Sequence, residues 1–363
     1  MPIRICALLK LIRPILLIFG LFVQGVFLIF SGDLSAQQHS LDSNRAKYEQ
    51  ARQAFDTFER EHGNYVETKN TKVHFLTWGN PKDIPFVWIH GSFTNSYEIK
   101  DLADSIVQNG YYLIAIDYYG HGLTPIPSHQ VSLYDVADDI LHILNDLGID
   151  QAVIGGWSRG AYIATAFYDS YPDRVKALIL EDGGSVNINT HYHNLSENEI
   201  RKLTDELFSE RPAYTAFKTE FEAFLEYRDK SDSSLQFELL AWIAQDAEGN
   251  YSIGPGIEDL FHMKDQEQFL MNIYEPSNTP LFARSMAMMD PIKIYDQLNV
   301  PLLILDPVTE EDLFPFEEEN RALRNMHPDL IVHHIYENTG HNIHYERPEV
   351  FLRDVLSFLI SLN

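Results

Sequence analysis

The residues best placed to do covalent chemistry are a serine, a histidine and a few carboxylates spread along the chain. Ser158 lies in Gly156-Trp157-Ser158-Arg159-Gly160, a G-x-S-x-G pentapeptide that follows the buried-strand run Gln151 to Ile154. A serine hydroxyl is a poor nucleophile at neutral pH until a neutral imidazole accepts its proton, and a carboxylate must hold that imidazole in one tautomer. Such a set transfers acyl groups through an acyl-serine. Glycines at 156 and 160 leave room for a sharp strand-to-helix turn that holds the serine strained, with its hydroxyl exposed. Helical spacing runs from Arg159 to Ser170 and stops before Tyr171-Pro172, because the residue ahead of a proline is driven out of the helical region. A glycine-flanked serine in an ordinary turn has the same five letters, so the reading depends on what else the chain supplies.

Three further segments supply it. Pro85 to Ile89 is a buried-strand run followed by His90-Gly91-Ser92-Phe93; Tyr112 to Ile116 runs into Asp117-Tyr118-Tyr119-Gly120-His121-Gly122-Leu123-Thr124; and Thr339-Gly340-His341-Asn342-Ile343-His344-Tyr345-Glu346-Arg347-Pro348 lies near the C-terminus. With the pentapeptide, these resemble the H-G-x-x loop, the D-x-x-G-x-G-x-S turn and the G-H-x-x-x-x-E-x-P segment of the alpha/beta hydrolase superfamily, over a span from about Tyr65 to the C-terminus. The resemblance implies an oxyanion hole made by the backbone N–H groups of Ser92 and Arg159, framed by His90, Gly91, Gly156, Trp157 and Gly160, with His341 as the base.

The acid has three candidates. After the strand Val300 to Leu305 the family usually has G-x-x-D, whereas this chain reads Asp306-Pro307-Val308-Thr309-Glu310-Glu311-Asp312 and lacks that glycine. Asp312, at close to the family's usual separation from the histidine, is the first choice. Asp182 in Glu181-Asp182-Gly183-Gly184, after the sixth strand, is the alternative, and Asp306 the third.

Chain-wide properties narrow the function. The sequence has 363 residues, is 45% hydrophobic and carries a formal charge of −26, so it can bury a large core but lacks the Lys and Arg clusters that bind nucleic acid or anionic membranes. Arg4, Lys10 and Arg13 precede the apolar run Ile15 to Phe30, which ends in Ser31 to Ala36, as an export signal does; cleavage after Ala36 is expected, with an uncleaved N-terminal anchor as the alternative. The single cysteine, Cys6, falls in that segment, so the mature chain would have no thiol nucleophile. Histidines such as His191 and His193, His333 and His334, or His341 and His344 have no carboxylate or cysteine partner at a recognised ligand spacing, so neither a metal nor a cofactor is expected.

The expected architecture is α/β: a mostly parallel central sheet with helices on both faces and an inserted helical cap. Residues 1–36 form the signal or anchor and 37–62 an N-terminal helical extension, with a polar helix over Ser43 to Glu61. Residues 63–184 form the first part of the core, 185–290 the cap, with helices at Glu197 to Phe208, Thr215 to Tyr227 and Leu235 to Gln245, and 291–363 the second part of the core. The function expected is that of an exported serine hydrolase cleaving a small-molecule ester, lactone or amide, with a membrane met only through an uncleaved N-terminus. A cofactor-free lyase or perhydrolase, or a non-catalytic small-molecule binding protein, are the alternatives on the same fold.

Overall fold

The protein is described as a computed structural model that covers residues 30–209, 215–231, 234–310, 312, 314 and 316–362; the start of the expected export segment, 1–29, lies outside them. The order is α1 (Phe30–His62), β1 (Gly63–Glu67), β2 (Lys72–Trp78), β3 (Ile84–Ile89), α2 (Lys100–Gln108), β4 (Tyr111–Ile116), α3 (Leu133–Asp146), β5 (Ala152–Trp157), α4 (Arg159–Ser170) and β6 (Val175–Glu181). A mainly helical stretch follows, made of α5 (Ile188–Asn194), α6 (Glu197–Ser209), α7 (Glu220–Tyr227), α8 (Phe237–Trp242), β7 (Ile243–Gln245), β8 (Tyr251–Ile253), α9 (Ile257–Leu260), α10 (Gln266–Tyr274), α11 (Leu281–Ala287) and α12 (Pro291–Tyr295). The chain then returns to the sheet with β9 (Leu302–Val308), α13 (Phe316–Met326), β10 (Ile331–Glu337), α14 (Ile343–Glu346) and α15 (Pro348–Ser361).

The eight-stranded sheet has the order β1-β2-β4-β3-β5-β6-β9-β10. β1 pairs antiparallel with β2 and β2 with β4, and the remaining pairs are parallel. Central strands covered on both faces read as continuous apolar runs, and their side chains alternate between the two layers. Val87, Ile114 and Ile154 face α3 and α4, while Trp88, Leu113 and Val153 face the layer that holds α2 and α15. Each such side chain, fully buried, stabilises the fold by about 1.5–3 kcal/mol. The parallel order brings the C-terminal ends of β3, β5, β6 and β9 to one edge, where the loops that carry chemistry must lie.

Two expected helices of the insertion are corrected. The segment expected as helix from Thr215 begins helical structure at Glu220, because Thr219 and Glu222 form a capping box and Phe217 bridges to Tyr251 instead. The segment from Leu235 stops at Trp242 and continues as β7, paired with β8 across a turn in which the Asp246 carboxylate accepts the Asn250 N–H at 2.8 Å. The N-terminal helix packs on this insertion: Tyr48 meets Phe221 and Phe224 at 5.4 Å, and Arg52 pairs with Glu220 at 3.2 Å.

A buried ionic cluster ties α1, β2 and the loops after β3 and β4. Asp117, just past β4, accepts the Ser96 N–H at 2.7 Å, the Leu123 N–H at 3.0 Å and His74 Nδ1–H at 2.6 Å, while His74 Nε2 lies 3.2 Å from the Glu59 carboxylate. Burial opposes charging of the imidazole, but Asp117 and Glu59 outweigh it and push the pKa of His74 up to about 9 from 6.5. A histidine whose pKa rises on folding adds stability that is full below the unfolded value and fades as pH climbs through the folded one. Thermal unfolding should therefore show the protein losing stability between pH 6.5 and about 9. His74→Gln should be less stable near pH 6 and show a flatter slope; equal slopes in the two proteins would remove His74 as the cause.

Candidate active site

Ser158 occupies the turn between β5 and α4 with φ 53° and ψ −121°, a left-handed conformation that a non-glycine residue adopts only when its surroundings enforce it. The enforcement is steric. A Cβ on Gly160 would lie 2.0 Å from the carbonyl oxygen of Ile89, so the start of α4 can rest on the end of β3 only without one. Gly156 packs on the backbone of Gly160, and the Ser158 N–H donates to the carbonyl of Glu181 at 2.8 Å, fixing the turn to β6. The serine is partly open to solvent.

His341 follows β10 and brings its ring to the serine: Nε2 lies 2.9 Å from Ser158 Oγ, and Nδ1 lies 2.5 Å from Asp182 Oδ2. The expectation of Asp312 as the acid is corrected. Its carboxylate accepts the Thr309 N–H and hydroxyl, both at 2.7 Å, in an exposed local turn. Without a glycine to turn the chain early, β9 runs on to Val308 in register with Glu337, and the carboxylate is used where it stands. Asp306 is buried and held by His333 Nε2 at 2.5 Å and Asn320 Nδ2 at 2.9 Å. Asp182 reaches the histidine because it turns at φ 44° and is followed by Gly183, where a Cβ would meet the Ser158 carbonyl oxygen at 2.6 Å. The signal for it in the sequence was Gly183-Gly184, together with the missing glycine after β9.

The other expected residues surround this triad. Trp157 donates its indole N–H to the His341 carbonyl at 2.7 Å and packs against the backbone of Gly91. His90 is buried, stacks on Tyr118 at 4.2 Å and contacts the Gly91 carbonyl through Nδ1 at 2.7 Å; burial pulls its pKa down to about 4, so it is a neutral packing group. Ser92 accepts a hydrogen bond on Oγ from Arg159 Nε at 2.9 Å, which holds together the two residues whose backbone N–H groups are the candidate oxyanion donors. Arg159 opens α4, and the first N–H groups of a helix have no partner within it.

A buried layer beneath the triad was missed by sequence reasoning. Glu181, the residue before Asp182, accepts the His344 N–H at 3.0 Å and meets His344 Nδ1 at 2.8 Å, which clamps the histidine loop to the end of β6. Glu98 accepts the Trp88 indole N–H at 2.7 Å, and burial pushes its pKa up to about 8. Among the described residues no group of three or more His, Cys, Asp or Glu is arranged to hold a metal ion.

Comparison with known proteins agrees with this fold. A model of the alpha/beta hydrolase fold family matches residues 84–256. The fold is that of the alpha/beta hydrolases. It is 25% identical over 282 residues, 76% of this chain and 90% of the relative, to a Bacillus subtilis (strain 168) protein named as a putative 2-succinyl-6-hydroxy-2,4-cyclohexadiene-1-carboxylate synthase. It is 27% identical over 121 residues to epoxide hydrolase 1 of Caenorhabditis elegans, a match that spans 32% of this chain and 29% of that protein. The crystal structure of E-2-(acetamidomethylene)succinate hydrolase superposes with a TM-score of 0.58 at 18% identity, covering 82% of this chain and 98% of that one.

Desolvation opposes protonation of His341, but Asp182 outweighs it and raises its pKa above the ordinary 6.5. The base must be neutral to act, so kcat/KM on an activated ester should rise with pH through a limb above that value. Asp182→Asn should cost up to about 10⁴-fold in turnover and move the residual limb to lower pH, since the anion that favours imidazolium is gone. Asp312→Asn should change little. The opposite ranking of these two variants in pH–rate profiles would return the acid to the β9 side.

Proposed function

We propose that this chain is an exported serine hydrolase that cleaves a carboxylic ester, lactone or amide through an acyl-enzyme at Ser158. The observation that carries this reading is the continuous line from Ser158 Oγ to His341 Nε2 at 2.9 Å and from His341 Nδ1 to Asp182 at 2.5 Å. The match of residues 84–256 to the alpha/beta hydrolase fold family supports hydrolysis as the reaction class.

Each step uses an atom of this line. Ser158 Oγ attacks the carbonyl carbon while its proton passes to His341 Nε2, and Asp182 holds the tautomer that leaves Nε2 free and stabilises the imidazolium that forms. The negative charge that builds on the carbonyl oxygen is received by the N–H groups of Ser92 and Arg159. Collapse of this intermediate expels the alcohol or amine, which takes the proton back from His341. Water then repeats the sequence on the acyl-serine and returns Ser158 to its starting state. The His341 side chain is 51% exposed, so water has access to the base without a separate channel.

Export rests on the charged front, apolar run and small residues of 1–36. The mature chain would begin at Gln37, within the sequence of α1.

A fluorophosphonate should label the wild-type protein and not Ser158→Ala, and the folded variant should turn over a panel of nitrophenyl esters roughly 10⁴-fold or more slowly. Near-normal rates in a variant with unchanged circular dichroism would end the serine hydrolase reading. Terminal sequencing of protein recovered from an export-competent host should give Gln37 first. Recovery of Met1 or Pro2 in the membrane fraction would identify an uncleaved anchor instead.

A further inference from the structure

Arg159 is a buried cation with no anion beside it among the described residues. The residue is 8% exposed, yet among the described residues no carboxylate lies within ion-pair reach of its guanidinium, whose one side-chain hydrogen bond runs from Nε to Ser92 Oγ at 2.9 Å. The groups whose fields reach it are the phenols of Tyr118, Tyr192 and Tyr162, which burial keeps protonated. Two of these are committed elsewhere: Tyr118 donates to the Gly91 carbonyl at 3.0 Å and Tyr162 to the Val186 carbonyl at 2.9 Å. The flat face of the guanidinium lies on the ring of Phe261 at 3.8 Å. Its two Nη groups have no partner among the described residues and are not sealed from solvent.

A buried charge is costly unless it is paired, and stacking on an aromatic ring with one neutral hydrogen bond leaves most of that cost standing. The usual remedy is a carboxylate, and the planar fork of a guanidinium fits one through two parallel N–H donors. Here the Nε edge is already used and the orientation is set by Ser92 and Phe261, so the free edge is fixed before any ligand arrives. Arg159 directly follows Ser158, and its partner Ser92 carries a candidate oxyanion donor, so an anion on the Nη edge would sit within a few atoms of the scissile carbonyl.

We infer that Arg159 is a carboxylate-binding subsite, and that the preferred substrate is an ester bearing a free carboxylate a few atoms from the scissile carbonyl, as in the half-ester of a short dicarboxylic acid. The inference rests on the serine hydrolase reading for its chemistry but not for its binding. The formal charge of −26 repels such a substrate at long range, which makes a local, desolvated cation necessary to hold it.

The test sets ethyl half-esters of malonic, succinic and glutaric acid against the matching diethyl esters. In the wild type the best half-ester should exceed its diester in kcat/KM by about tenfold or more, the scale of one charge-assisted hydrogen bond. Arg159→Met should collapse that ratio to near one, whatever happens to the absolute rates, and Arg159→Lys should keep an intermediate ratio. A wild-type preference for the diester, or an Arg159→Met protein in which both rates fall together and the ratio survives, would overturn the inference; the second result would make the guanidinium a support of the reaction centre. Titration calorimetry on Ser158→Ala separates this from the parent reading, because it needs no turnover. There the half-ester should bind about tenfold more tightly than the diester, with the difference lost in Ser158→Ala/Arg159→Met, and equal affinities would overturn the subsite. Failure of the wild type to react with fluorophosphonate would instead count against the hydrolase reading.

Discussion

The site depends on a contact that tolerates no side chain. With hydrogen at position 160 the first turn of α4 rests on the carbonyls of Ile89 and His90, which a Cβ would approach to 2.0 and 2.4 Å. That approach forces the turn at Ser158 into its left-handed conformation and draws the ends of β3 and β5 together. From the other side, Gly183 lets the loop after β6 settle on the Ser158 backbone. Three strand ends therefore meet at one serine, and the His90-Gly91-Ser92 loop, Asp182 and Ser158 are positioned by the same set of backbone contacts. The local strain, of order 1–3 kcal/mol, is held by a sheet whose strands are buried on both faces.

The histidine arrives on a loop, where position is less constrained, and the structure ties that loop twice. Trp157, one residue before the nucleophile, holds the His341 carbonyl; Glu181, one residue before the acid, holds the backbone and ring of His344. Each partner of the triad is thus linked to its neighbours through an adjacent residue as well as through its own reactive atom. Electrostatics limits what this buried layer can contain. Glu98 and Glu181 both lie near His344, and one imidazolium cannot neutralise two buried carboxylates; burial resolves this by keeping Glu98 protonated near neutral pH, with its pKa at about 8. Glu181 is the side chain that holds His344, through both its backbone N–H and its ring.

Where a local pattern determines structure, the sequence was readable. Buried strands appear as apolar runs, α3 and α4 as helical spacing, and Ser158 and His341 as residues whose flanks have steric or chemical reasons to be what they are. The hairpin of β7 and β8 was hidden because short apolar segments such as Ile243–Gln245 have no period long enough to separate strand from helix, and pairing across the Asp246–Asn250 turn decided the matter. Glu98, Glu181 and His344 were illegible for another reason: their pairing is made in space between β6, the loop after β3 and α14. Arg159 was read for its amide alone, since nothing in the sequence says that the guanidinium beside Ser158 will have no carboxylate within reach among the described residues.

The carboxylate beside His341 shows how one chemical requirement can be met from two strands. A carboxylate oxygen within hydrogen-bond reach of Nδ1 is all the tautomer demands. β6 and β9 are neighbours, with Glu181 in register with Leu305, so Asp182 and Asp306 leave the sheet side by side. Their identical side chains then diverge. Asp306 continues as regular strand and is captured by His333 on β10 and Asn320 on α13. Asp182 has its N–H bonded to the Leu305 carbonyl at 3.0 Å, so the strand ends there, and its left-handed turn into two glycines swings the carboxylate toward the elbow and away from β9. Residue type and spacing from the histidine cannot separate the two positions; the backbone conformation after the last paired residue does, and in this chain Gly183 and Gly184 make that conformation accessible.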